Sequence, residues 1–197
     1  QVAEAEGNRS LAQDLFQKAS KLAPRDIASH VWLLENALKQ QKAEAAVKHL
    51  DALLRLRPSL LPALQAQADV LAINPATQPW MIQTLSKEPL WRQAFLNGFS
   101  QAKLPVDAMS SLFVGLNKSS KLTLPEYQPW LNRLITEQRY MQAYVTWAQL
   151  IPANQRQFLG NVFDGGFELP QEEQQGVFAW TSPPTNGAHM YWSNGRG

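Results

Sequence analysis

The stretch AQDLFQKASKLAP (residues 12–24) returns 34 residues later as AVKHLDALLRLRP (residues 46–58). Ala12 falls opposite Ala46, Phe16 opposite Leu50, Ala19 opposite Leu53, Leu22 opposite Leu56, and Pro24 opposite Pro58. Residues three and four apart share one helix face. A small residue at Ala12 or Ala46 lets a neighbouring helix approach, and the large residue one turn on fills the gap beside it. Pro24 and Pro58 close each unit, because proline cannot continue helical hydrogen bonding. Between the two units, residues 27–40 read as a helix with Trp32, Leu33, Leu34, Ala37 and Leu38 on its apolar side.

A repeat of 34 residues is the tetratricopeptide period, and the order small, large, small, Pro resembles the second helix of that family. The resemblance covers about a third of the chain. Two positions depart from it: Leu34 stands where the family prefers Gly, and Leu53 where it prefers Ala. The resemblance implies that residues 27–40 supply the first helix of repeat two and Gln1 to Glu6 the remnant of the same helix in repeat one. It also implies a partner-binding groove lined by Ala28, Val31, Glu35 and Lys39. Val31 and Glu35 occupy the places where a carboxylate-clamp member needs Lys and Asn, so no clamp for a C-terminal carboxylate is expected.

Beyond Pro58 the period fades while helical character continues. Pro62 opens a helix carrying Leu64, Ala68 and Leu71, and Asn74-Pro75 breaks it. Trp80 to Leu85 and Leu90 to Ala102 read as two short helices parted by Glu88-Pro89. Asp107 is expected to cap a helix with Met109, Leu112, Phe113 and Leu116, and Pro125 to take a first-turn place. Trp130, Leu131, Leu134 and Ile135, then Tyr140, Ala143, Trp147 and Leu150, form a last helical pair. The expected architecture is mainly α: one right-handed α-α superhelix over residues 1–152, degenerate in the middle, then a short β or irregular segment over residues 153–197.

At Gly160 the composition shifts toward Gly and Pro, and short apolar runs bounded by turn residues read as strands. Gly166, Phe167 and Glu168, followed by Phe178 and Trp180, resemble the opening of carbohydrate-binding β-sandwich modules. Only 37 residues follow Gly160, against the roughly 100 such a sandwich needs, so the module is expected to be truncated. The order of a helical array, Trp91-Arg92 with Phe95-Leu96, Ala143-Tyr144 with Trp147, and this last pair is similar to bacterial cell-envelope repeat proteins, some near exopolysaccharide genes. That resemblance implies a periplasmic or membrane-anchored protein. The residues Thr181 to Gly197 read as turns or a loose tail.

Composition narrows the chemistry. The chain has 197 residues, no cysteine, 17% charged residues and a net charge of +2. Absent thiols exclude disulfides, thiolate metal sites and a cysteine nucleophile. Lys and Arg are spread out, so no nucleic-acid partner is expected. No apolar run approaches the roughly 18 residues that span a bilayer, and no signal peptide is visible. The chain opens on Gln1 within a helical pattern and reads as a piece of something longer.

No catalytic set emerges. His30, His49 and His189 lack metal-ligand spacing, and His30 and His49 are expected on helix surfaces. Asp164-Gly165-Gly166 reads as a hairpin turn. Among the carboxylates, Glu172 and Glu173 read as solvated, while Glu168 matches a structural-calcium position in the sandwich resemblance. Trp32, Trp91, Trp130 and Trp147 fall on helical stripes and are read as core, and Trp180 as the core of a sandwich strand. The expected function is a non-catalytic protein-protein interaction scaffold with no cofactor and no metal. A carbohydrate-associated protein of exopolysaccharide assembly, with Glu168 and Trp180 in its sugar module, is the alternative. A polysaccharide hydrolase is the third reading and lacks an acid/base pair.

Overall fold

The computed structural model describes residues 9–160, 163–166, 168, 169, 177, 178 and 180. Two compact units divide the chain, Gln1–Tyr127 and Gln128–Gly197. The helices among the described residues are α1 (Arg9–Leu22), α2 (Ile27–Lys39), α3 (Ala43–Leu56), α4 (Leu61–Ile73), α5 (Gln78–Leu85), α6 (Arg92–Gln101), α7 (Val106–Ser119), α8 (Leu124–Thr136) and α9 (Tyr140–Leu150), with short 3₁₀ segments at Pro58–Leu60 and Ala153–Phe158.

Local chemistry sets the ends of α2. Asp26 is its N-cap, and its carboxylate accepts from the Ser29 amide at 3.1 Å and from the Ser29 hydroxyl. The C-terminus closes with Gln41 at φ 54, the Lys42 amide donating to the Ala37 carbonyl and the Gln41 amide to that of Leu38. Those two bonds make a left-handed helix stop, and the turn returns the chain as α3. Gln138, at φ 60, ends α8 in the same way before α9. Both stops use glutamine where glycine is the usual occupant.

In the first unit α2 packs on α1 and α3. Leu33, Leu34 and Ala37 meet a core that includes Ala46, Val47, Leu50, Leu53 and Leu54, all buried. Ala12 is buried too, while Phe16 stacks on Trp32 with ring centroids 4.6 Å apart. The middle of the unit is not a continuation of paired stacking. Helix α4 packs against α3, α5, α6 and α7 together. Its buried Leu61, Ala68, Asp69, Leu71 and Ala72 occupy more than one face, as a helix enclosed by neighbours requires. The small side chains of Ala68 and Ala72 give several helices room to approach. The expectation of one right-handed superhelix over residues 1–152 is therefore corrected: α4 is a hub within the first unit.

The expected strands are also corrected. No strand occurs among the described residues. Phe163, Asp164, Gly165 and Gly166 form a turn, as do Val177 and Phe178. Asp164 has φ 47, and its carboxylate takes the Glu168 amide at 2.7 Å and the Leu169 amide at 3.2 Å, spending donors that a strand would give to a ladder. Phe163 packs edge-on to Trp147 at 4.6 Å, and Phe178 lies 5.4 Å from Tyr144 and 5.3 Å from Trp147. These aromatics serve α9, so the sandwich core expected of them does not form. Gln1 to Glu6, Phe167, Glu172, Glu173 and the tail from Thr181 lie outside the described residues.

Candidate functional site

Helix α2 uses its circumference unevenly. Toward α1 it presents Trp32 to Phe16, and Asn36 and Gln40 each donate a side-chain hydrogen bond to Gln13 Oε1, at 3.2 and 3.1 Å. Inward it presents Leu33, Leu34 and Ala37. Ala28, Val31, Glu35 and Lys39 follow at intervals of three, four and four, a spacing that keeps them on one stripe. Ala28, Glu35 and Lys39 are exposed and Val31 is half-buried. Among the described residues neither Glu35 nor Lys39 makes an ion pair. The four residues expected to line a groove therefore share one face of α2, three of them exposed and Val31 half-buried.

On the inner side of the same helix, His30 faces His49 of α3. Their Nδ1 atoms lie 3.0 Å apart, and His30 Nε2 lies 3.1 Å from the Pro24 carbonyl oxygen. The carbonyl only accepts, so His30 carries hydrogen on Nε2. Neutral His30 then offers a bare Nδ1, and the Nδ1–H of His49 donates to it. His30 is 8% exposed and His49 half-buried, so the expected surface placement of His30 is corrected. Burial pushes the His49 pKa down to about 4, with help from nearby His30 and Lys48. Sequence spacing concealed this pair, since 19 residues separate its members on two different helices.

The residues assigned to a sugar module are arranged otherwise. Glu168 is exposed, and Trp180 donates from Nε1 to the Phe163 and Asp164 carbonyls at 2.9 and 3.1 Å. Trp180 braces the turn from outside and is 37% exposed, where a sandwich strand would bury it. Among the described residues no group of three or more His, Asp or Glu forms a metal cluster. No helix among them is long and apolar enough to cross a membrane.

Compared with protein-family models, curated proteins and solved structures, the chain matches none. The tetratricopeptide resemblance is corrected accordingly. Its two departures have a structural meaning: Leu34 and Leu53 are 3% and 0% exposed, so leucine fills the space that Gly and Ala leave for close helix contact in that family. No strand occurs among the described residues, so the β-sandwich that carried the carbohydrate-binding resemblance is corrected as well.

Proposed function

We propose that this chain is a non-catalytic scaffold that binds a protein or peptide partner through the open stripe of α2. The observation that supports it is the alignment of Ala28, Val31, Glu35 and Lys39 on one solvent-facing line, backed by a helix whose other sides are packed. A small residue at Ala28 and a half-buried Val31 give an apolar floor. Glu35 and Lys39 add charges of both signs that no neighbour in the described structure neutralises. Such an arrangement fits an extended or helical peptide with opposed charges at matching spacing. An envelope setting, periplasmic or membrane-anchored, belongs to the same reading, and fractionation of cells expressing the full gene tests it.

The test of the scaffold is a quantitative crosslinking pull-down with the full chain and with Glu35→Lys, Lys39→Glu and Ala28→Arg. These positions are exposed, and surface changes away from special features usually alter stability by no more than about 0.5 kcal/mol. The expected result is a partner captured by the native chain and lost from all three variants. Capture that no change on this stripe alters would overturn the assignment.

A further inference from the structure

Helix α1 is anchored on one side. Ala12 is buried, Phe16 stacks on Trp32, and Gln13 accepts hydrogen bonds from Asn36 and Gln40 of α2. Those contacts fix the rotation of the helix about its own axis. They leave Leu11, Leu15 and Leu22 46%, 51% and 87% exposed. Together with Lys18, these leucines are spaced four, three and four residues apart, which is the seam spacing of a two-stranded coiled coil. Asp14 and Lys21 flank the seam along one edge. Asp14, Lys18 and Lys21 are exposed, and among the described residues none of them makes an ion pair. We infer that α1 is a self-association surface, on which two copies of this chain pair through antiparallel α1 helices.

The seam is complementary to itself. With a second α1 laid antiparallel about a two-fold axis, Leu11 comes opposite Leu22 of the second copy, and Leu15 opposite its Lys18. In such a pair the same flank of both helices lies on the same side of the seam. Asp14 therefore meets Lys18 and Lys21 of the second copy, and the symmetry makes each contact twice. The methylene stem of Lys18 covers the opposing Leu15 while its ammonium reaches the opposing Asp14. A parallel pair has none of this: it sets Lys18 against Lys18 and turns Asp14 toward Ala19, which carries no charge. One helix of about four turns from each copy makes an interface of the weak class, below about 1,200 Å². The association is therefore expected to depend on concentration. It uses none of the α2 residues proposed above for partner binding, so either assignment can fail alone.

Sedimentation equilibrium of the full chain over a hundredfold range of concentration tests this. The mean mass is expected to rise from one chain toward two. Leu15→Gln with Leu22→Gln is expected to weaken association at least tenfold. Leu90→Gln, which removes a still more exposed leucine (95%) away from α1, is expected to leave it unchanged. Charge reversal supplies the test that misfolding cannot imitate. Asp14→Lys alone, and Lys18→Asp with Lys21→Asp, each place like charges across the pair and are expected to remain single chains. Mixed together, the two reversed chains restore every opposite-charge contact and are expected to form a one-to-one dimer. A native chain that stays single throughout overturns the proposal and leaves the leucine seam to some other occupant. Association that survives the paired leucine changes, or reversed chains that stay apart when mixed, overturns it as well.

Discussion

Arg92 and Glu126 form a buried two-point ion pair, with Arg92 Nε 2.6 Å from one carboxylate oxygen and Nη2 3.0 Å from the other. The side chains are 3% and 9% exposed. Glu126 also accepts from the Thr123 amide at 2.8 Å and the Thr123 hydroxyl at 3.0 Å, so its carboxylate caps a free amide at the start of α8. Arg92 spends its remaining hydrogens on the Leu85 carbonyl, the Ser120 hydroxyl and the Lys121 carbonyl, at 3.2, 2.9 and 3.2 Å. One guanidinium therefore ties together the ends of α5 and α7 and the starts of α6 and α8.

Breaking that pair from one side leaves a charge buried without its partner. Glu126→Gln is expected to cost about 3 kcal/mol, and Arg92→Met about the same. The two together are expected to cost much less than the sum, because the double variant buries no lone charge. Urea unfolding of the four chains measures this. Additive losses would mean that the residues contribute separately.

Gly115 of α7 sits against Ile82 of α5. A Cβ built at Gly115 lies 2.5 Å from Ile82 Cδ1, well inside contact distance. Gly115→Ala removes a helix-breaking glycine, a gain of about 0.5–1 kcal/mol. Overpacking at this crossing costs about 1–3 kcal/mol, so the clash wins and the variant is expected to be less stable. Ile82→Val deletes the offending methyl. In that background Gly115→Ala is expected to become neutral or stabilising, and an unchanged penalty by thermal melting would remove Ile82 as its cause.

The helices were legible in the sequence because their ends are written in local chemistry: Pro24, Pro58, Asn74-Pro75 and Glu88-Pro89 all fall between them. Trp91, Trp130 and Trp147 were legible as core because they stand on apolar stripes, and they are 1%, 1% and 0% exposed. Contacts between distant positions were not. His30 and His49 lie on different helices, and nothing in either helix's own pattern marks its partner. Arg92 and Glu126 stand 34 positions apart, and nothing in the local pattern of either marks the other as its partner. Phe163 and Phe178 look like strand residues because apolar runs flanked by glycine fit strands and turns alike. Tyr144 and Trp147 decide between the two, and only the tertiary structure brings them near.

The turn at Asp164 gives a test of that correction. Its left-handed φ of 47 suits Asp or Asn far better than other residues with a Cβ, and its carboxylate holds two backbone amides. Asp164→Asn keeps an acceptor and the backbone preference, so a loss under about 1 kcal/mol is expected. Asp164→Ala strands both amides and is expected to cost about 2 kcal/mol. Trp180 donates to the Phe163 and Asp164 carbonyls, so tryptophan fluorescence is expected to shift to the red in the alanine variant only. Equal behaviour of the two variants would show that the carboxylate does not organise the turn.

The His49 imidazole links stability to pH. Its folded pKa is about 4, below the ordinary 6.5. Above pH 6.5 the ring is neutral whether the chain is folded or not, and the stability is complete. As pH falls below 6.5, the unfolded chain takes up a proton that the folded chain refuses, so stability declines. The decline from this residue ends near pH 4, where the folded ring is protonated too. Each unit of the gap is worth about 1.4 kcal/mol, which sets a ceiling of about 3 kcal/mol. Water around a half-buried ring trims the expected loss to about 2 kcal/mol. Urea unfolding of EDTA-treated protein at pH 7.5, 6, 5 and 4 measures it. His49→Gln cannot titrate and is expected to flatten that part of the curve. If the variant keeps the native slope between pH 6.5 and 4, the acid sensitivity belongs to other groups and the His49 ring is protonated as easily folded as unfolded.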